Sequence, residues 1–239
     1  MRSPIACRPR RLTKVVESVC TRLHRRYGKP RLDNPQEPLD DLIFIVLSNK
    51  TTPGTAGRVY GELKQRFATW NHLLLAPART TKRILRPAGL SGIKTAYIRA
   101  ALRKIRRDFG TCDLSALRRL SPQEAEHYLC TLPGVSLKVA KCVVMYTLGG
   151  EVLPVDSHVH RVTVRLGWTN RRRADQCHEE LESLIPGPFR FALHVDLIVH
   201  GRLVCRPKAP LCGDCCIRNF CKFDRKTGDD GQGAIADRH

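Results

Sequence analysis

Leu132-Pro133-Gly134-Val135-Ser136-Leu137-Lys138-Val139-Ala140 decides how the rest of the chain is read. It lies between two segments of helical character. The first, Pro122 to Thr131, opens on Ser121-Pro122-Gln123-Glu124, a capping box with proline at the first helical position. The second, about Leu137 to Leu148, is apolar at Val139, Ala140, Val143, Val144 and Leu148. Proline and glycine force a tight hairpin between them, and Gly134 lets the backbone approach another group closely. The second helix offers unpaired N–H groups and the positive end of its dipole, which suits phosphate. Gly134 and Ser136 are the candidate contacts. Such a grip positions a nucleic-acid backbone without reading its sequence. An ordinary helix–helix turn would use the same residues.

Charge favours the phosphate reading. Lys and Arg number 42 against 22 acidic residues in 239, a formal net charge of +20. An excess of that size points to a polyanionic partner, because each Lys or Arg near a phosphate releases counterions. Charge alone names no reaction. With 42% hydrophobic residues the chain can bury a real core. Its longest apolar run, Leu42 to Leu47, is far short of the ~20 residues of a spanning helix, so no membrane segment is expected. Arg2, Arg8, Arg10 and Arg11 could belong to an organelle transit peptide. The better reading is an amphipathic helix of the fold, since Leu12, Val15, Val16, Val19, Leu23 and Tyr27 fall at helical spacing. No secretory h-region is visible, and an odd cysteine count, 11, argues against a disulfide scaffold.

The rest reads as almost entirely helical. Asp113 can cap the stretch from Leu114 to Leu120. Asp156 can cap Ser157 to Leu166, which stops at Gly167. Phe189 to Val204 has a helical period, and Leu42 to Leu47 is read as helix in the absence of strand–turn–strand signals elsewhere. From about Lys222 onward Gly, Asp and Lys dominate, and a frayed tail is expected. Five cysteines crowd into residues 205–221. Cys205, Cys212, Cys215 and Cys221 stand as C-x6-C-x2-C-x5-C. Four thiolates can hold a 4Fe–4S cluster or a tetrahedral zinc ion. Structural zinc sites usually use two short knuckles; here there is one, Cys212-Gly213-Asp214-Cys215. Cys7, Cys20, Cys112, Cys130, Cys142 and Cys177 read as small core residues.

Eighteen residues after Lys138 comes Asp156, within Pro154-Val155-Asp156-Ser157-His158. Here the sequence resembles a family. Leu132 to Ala140 looks like the LPGVGxKxA hairpin of endonuclease III, Val155 to His158 looks like its VDTH segment, and the Lys-to-Asp gap agrees. The stretch from His200-Gly201-Arg202 to Cys221 resembles its 4Fe–4S loop, with Cys216 a spare thiol. The likeness spans roughly residues 38–224. It implies an all-α, two-lobed helix-hairpin-helix DNA glycosylase fold. One lobe would be a helical barrel, residues 31–150, with the hairpin at about 122–148. The other would join residues 1–30 to 151–225 and carry the cluster, leaving 226–239 as a tail. It implies base-excision repair: a glycosylase with abasic-site lyase activity on damaged or modified pyrimidines in double-stranded DNA. Lys138 would be the nucleophile and Asp156 the catalytic carboxylate; as simpler readings, Lys138 could be a phosphate contact and Asp156 a plain N-cap. Breaking an N-glycosidic bond builds positive charge on the sugar, which a carboxylate stabilises. An amine can attack the anomeric carbon only when deprotonated.

The likeness weakens at Leu47-Ser48-Asn49-Lys50-Thr51-Thr52-Pro53, where the family commonly has LSAQATD. Its Gln enters the gap left by a flipped base; Lys50 takes that place, and Pro53 replaces the Asp. Ser136 stands for the second hairpin glycine and Leu137 for a common Arg. Leu90, in Gly89 to Ile93, is a possible wedge. Arg202, Arg206, Lys208, Arg218 and Lys222 are candidates to face DNA around the cluster. The segment from Leu137 to Trp168 also resembles plant 5-methylcytosine glycosylases. An abasic-site-specialised lyase and a non-catalytic lesion-binding protein are the rival readings. A monomer is expected, cytoplasmic and nucleoid-associated or nuclear, and not secreted.

Overall fold

A computed structural model describes residues 9–223, with side chains from residue 13. Among these the chain forms eleven α-helices, short 3-10 turns and no strand. The helices are α1 (Pro9–Tyr27), α2 (Pro38–Ser48), α3 (Pro53–Arg66), α4 (Trp70–Leu75), α5 (Ala78–Ile84) and α6 (Ser91–Phe109). There follow α7 (Pro122–Cys130), α8 (Leu137–Thr147), α9 (Ser157–Leu166), α10 (His178–Leu184) and α11 (Gly187–Leu203). The apolar run Leu42–Leu47 is therefore helical. Local chemistry sets many of the ends. Ser121 and Glu124 make the reciprocal capping box of α7. Asp156 caps α9, and Gly167 ends it at φ 73°. Asp113 accepts from the Ser115 N–H at 2.9 Å and turns the chain into a single 3-10 stretch, Ser115–Arg119.

Two hydrophobic cores form. The first holds Leu42, Leu47, Leu63, Leu85, Leu102, Ile105, Leu129 and Val143 among others, and packs α2 against α3 and α8, α7 against α8, and α4 and α5 against α6. The second holds Val16, Val19, Leu23, Val159, Leu181 and Leu197, with α11 packed on α1 and α9. Each fully buried Leu or Val contributes roughly 1.5–3 kcal/mol of transfer free energy. A buried ammonium ties the cores together. Lys141 of α8 pairs at 2.7 Å with Glu126 of α7 and at 2.7 Å with Glu182 of α10. Glu182 also accepts from the Leu153 N–H at 2.7 Å.

Two expectations need correction. Cys130 is exposed at the end of α7 and Cys112 is half-buried, so only Cys20, Cys142 and Cys177 are core residues; Cys7 lies outside the described part. The chain is still pinned at Lys222 and Phe223: the Lys222 N–H donates to the Arg165 carbonyl at 2.8 Å, and the Arg165 guanidinium lies 4.4 Å from the Phe223 ring centre. The Lys222 side chain lies against Gly167, where an added Cβ would come within 2.5 Å of it. A hydrogen bond and a ring contact hold a segment whose polar composition predicts fraying. Residues 226–239 lie outside the described part. No helix among the described residues is long and apolar enough to cross a membrane.

Candidate active site and nucleic-acid interface

The hairpin turns at Gly134, φ 80°, and the Val135 N–H closes it on the Leu132 carbonyl at 3.1 Å. A Cβ at Gly134 would stand 2.4 Å from the Tyr97 ring of α6, so glycine is required twice, by conformation and by contact. Ser136 is the N-cap of α8 and accepts from the Val139 N–H at 3.5 Å. The hairpin's open end therefore presents a capped helix N-terminus.

Lys138 sits half-buried in the first turn of α8. Cys142 and Tyr146 follow at four-residue intervals, on the same stripe. Tyr146 and His194 of α11 are joined through Oη and Nε2 at 2.6 Å, and His194 Nδ1 lies 2.9 Å from the Pro154 carbonyl. A carbonyl only accepts, so Nδ1 carries the proton, Nε2 accepts, and Tyr146 donates. Cys142 lies within electrostatic reach of Tyr146. Burial pushes His194 well below the ordinary histidine range and Tyr146 well above the ordinary phenol range, so this line is neutral at pH 7. Both Lys138 and Asp156 act electrostatically on Cys142 and on His194, with opposite sign. The amine and the carboxylate thus flank one buried polar line. Asp156 takes the His158 and Val159 N–H groups at 2.9 and 2.8 Å, both on Oδ1. Its Oδ2 is left for another positive group.

Lys50 and Leu90 lie in two neighbouring loops. Both are exposed and both adopt left-handed backbone, at φ 54° and 49°. Non-glycine residues rarely do so, at a cost of roughly 1–3 kcal/mol. Sequence reasoning missed the clamp that holds them. Lys94 of α6 is buried, and its ammonium donates to the Leu47 carbonyl at 2.7 Å, the Ala88 carbonyl at 2.8 Å and Thr51 Oγ1 at 2.8 Å. Thr51 in turn donates to Ala88 at 2.5 Å. Ile93 and Tyr97 continue an exposed apolar stripe from Leu90 toward the hairpin. Gly134, Tyr97, Leu90 and Lys50 are thereby linked through α6 and its loop.

Of the basic residues near the cysteines, Arg202 is exposed and its charge acts on His158, beside Asp156. Arg206 and Lys208 are exposed on the C-terminal loop, where Arg206 donates to the Leu203 carbonyl at 3.2 Å. Arg218 and Lys222 are exposed, and the Lys222 side chain lies against Gly167. Arg161 and Arg165 of α9 knit this loop. Arg161 donates to the Cys205 and Gly201 carbonyls at 2.9 and 2.8 Å. Arg165 donates to Cys205 Sγ at 3.1 Å and the Arg206 carbonyl at 2.8 Å. Burial, reinforced by the charges of Cys216, Cys205 and Cys221, pushes Cys215 up to about 11. Burial with Cys205 and Cys212 raises Cys221 likewise. Cys205, Cys212, Cys215 and Cys221 therefore lie within electrostatic reach of one another, and Cys215 and Cys221 resist ionising in the absence of a cationic centre. Cys216 also lies within electrostatic reach of Arg26, Arg22 and Asp196, and its carbonyl accepts from Arg22 at 3.4 Å. Among the described residues no three His, Cys, Asp or Glu converge as they would on a single ion.

A glycine hairpin opening a capped helix, two exposed loops beside it and a strongly basic, all-helical frame define a helix-hairpin-helix protein that handles DNA. The chain belongs to the HhH-GPD superfamily of base excision DNA repair proteins, which it matches over residues 43–187. It is similar to endonuclease III of Thermotoga maritima, with 28% identity over 214 residues covering 90% of this chain and 95% of that protein. It is also similar to endonuclease III of Synechocystis sp., with 32% identity over 187 residues covering 78% and 81%. In fold it is similar to an endonuclease III solved in a non-covalent complex with DNA: TM-score 0.78, 23% identity, 91% of this chain and 98% of that one. The resemblance read from the motifs is borne out, as is the all-α fold. The chain is a DNA glycosylase, and DNA is its partner.

Proposed function

We propose that the chain is a bifunctional glycosylase and abasic-site lyase for damaged or modified pyrimidines in double-stranded DNA, with Lys138 as nucleophile and Asp156 as catalytic carboxylate. The observation that carries this reading is their placement on two helix N-termini around one neutral, buried line, Cys142–Tyr146–His194. A simple phosphate contact would not need that surrounding. DNA lies across the cleft between the two cores, residues 31–150 and residues 1–30 with 151–225, and the target nucleotide leaves the stack at a cost of a few kcal/mol. As the base departs with the electron pair of its glycosidic bond, Asp156 Oδ2 faces the positive sugar. Lys138 Nζ, as the free amine, then bonds to C1′; the C1′–O4′ bond breaks with one Nζ proton passing to O4′, which opens the ring to a protonated Schiff base. That Schiff base acidifies the C2′ proton, and its loss expels the 3′ oxygen and nicks the strand.

Cys205, Cys212, Cys215 and Cys221 would hold a 4Fe–4S cluster, and Cys216 would not. When bound, the cluster supplies structural order to a loop already tied by Arg161 and Arg165. Gly134 and Ser136 grip phosphate, Leu90 wedges, and Lys50 enters the gap. Arg202, Arg206 and Lys208 meet the backbone beyond it. Lys50 is an ammonium, a donor only, so its choice of base differs from that of the family Gln. The test is a nicking screen over single-lesion duplexes with borohydride trapping. Cleavage of one or more modified-pyrimidine duplexes supports the reading. Cleavage of abasic duplexes alone would leave a specialised lyase, and DNA binding with no cleavage would leave a lesion-binding protein.

A further inference from the structure

Lys141 stands three positions after Lys138 on α8, and Leu153 stands three positions before Asp156. Both are held by the same oxygen. Glu182 Oε1 of α10 accepts from Lys141 Nζ at 2.7 Å and from the Leu153 N–H at 2.7 Å. The Leu153 carbonyl is held from α10 as well: it can only accept, so His178 Nδ1 donates to it, at 3.1 Å. Leu153 and His178 are buried. Arg190 of α11 donates to the Glu182 and Ile185 carbonyls and so anchors the end of α10. One helix of the second core thus grips both the helix that carries Lys138 and the segment that delivers Asp156. The covalent path between these two is longer. It leaves α8 at Thr147 and passes through Gly149 and Gly150 before reaching Leu153.

We propose that Glu182 is a positioning residue for the reaction: acting through Lys141 and Leu153, it fixes the separation of Lys138 and Asp156 across the cleft. This rests on the reading of those two residues as nucleophile and catalytic carboxylate. Stability alone does not call for such a bridge. A buried ammonium loses its hydration, and well-packed apolar side chains in place of the ion pairs are often as stable or more so. Apolar contacts do not set a distance, whereas charge-assisted hydrogen bonds are short and directional. Glu126 supplies the contrast. It pairs with the same ammonium, also at 2.7 Å, and its side chain is 22% exposed against 21% for Glu182. Glu126 lies on α7, which packs on α8 inside the first core, so its ion pair does not reach the Asp156 segment. The two ion pairs match in length and exposure and differ in what they join.

The experiment is single-turnover borohydride trapping on preformed abasic-site DNA, with the DNA concentration varied, for wild type, Glu182→Gln, Glu126→Gln and Lys141→Gln. Glutamine at 182 can still accept from the Leu153 N–H but lacks the charge that holds the ammonium. Its saturating rate should fall about tenfold with the half-saturating DNA concentration unchanged, since a misplacement of about 1 Å can cost ~100-fold. Lys141→Gln breaks the same tether from the α8 end and should slow trapping likewise. Glu126→Gln should lose as much melting temperature as Glu182→Gln and still trap at the wild-type rate. A merely structural role would make the rate follow the melting temperature, equally for the two glutamate variants. Equal slowing by both, wild-type rates in Glu182→Gln and Lys141→Gln, or a loss confined to the half-saturating concentration would overturn the proposal while leaving Lys138 in place. Absence of trapping by wild type would instead strike the nucleophile reading itself, and this proposal with it.

Discussion

The hairpin and the loops beside it are built in opposite ways. The hairpin is relaxed: its one left-handed residue is a glycine, both flanking helices are capped by serines, and Leu132 anchors it in the core. The loops that carry Lys50 and Leu90 are strained, each with a non-glycine residue in left-handed backbone, and one buried ammonium holds both. The difference separates two tasks. As the proposed nucleophile, Lys138 would have to return to one geometry at every turnover, and it sits on the relaxed element. As the proposed gap and wedge residues, Lys50 and Leu90 would meet DNA that has already been distorted, and they stand exposed on a sprung one.

Substitution at Gly134 should break the relaxed half most severely. In Gly134→Ala the new methyl meets the Tyr97 ring at 2.4 Å and the backbone strain adds about 1–3 kcal/mol. DNA affinity should fall more than tenfold, with a lower melting temperature; an unchanged affinity in a titration would show that the hairpin is not the phosphate grip. Lys94→Met addresses the strained half. It leaves the Leu47 and Ala88 carbonyls without their charged donor, a loss of about 3 kcal/mol in thermal or urea unfolding. Lesion selectivity should degrade more than trapping on preformed abasic DNA. If both fall in parallel, the two regions are not separable. Lys50→Gln should have the smallest effect on stability, within about 0.5 kcal/mol, since the side chain is exposed. It should alter preference among lesions or opposite bases while sparing the lyase step. A collapsed lyase rate with an intact lesion profile would move Lys50 into the catalytic machinery.

What could be read beforehand was whatever is encoded locally. The capping box at Ser121, the Asp156 cap, the stop at Gly167 and the hairpin glycine each follow from residues within a few positions. The buried charges could not be read that way. Lys94 and Lys141 look like surface lysines in sequence, because their acceptors come from elements up to 47 and 41 residues away. Lys141, one turn beyond Lys138, is held between Glu126 and Glu182, so its replacement should cost stability. Asp40 and Asp41 both suit the positive end of α2, and only packing decides that Asp41 turns inward while Asp40 reaches Trp70. One signal was available and unused: Lys138, Cys142 and Tyr146 repeat every fourth residue, which puts a polar stripe on a helix otherwise built for the core.

Covalent capture tests the central claim most directly. Wild-type protein is incubated with abasic-site DNA and borohydride beside Lys138→Gln, and the cross-linked species is resolved on a denaturing gel. The account predicts a trapped complex for wild type and none for Lys138→Gln, with the variant still binding the same DNA. Normal trapping by Lys138→Gln, or no trapping by wild type on any duplex, would contradict it.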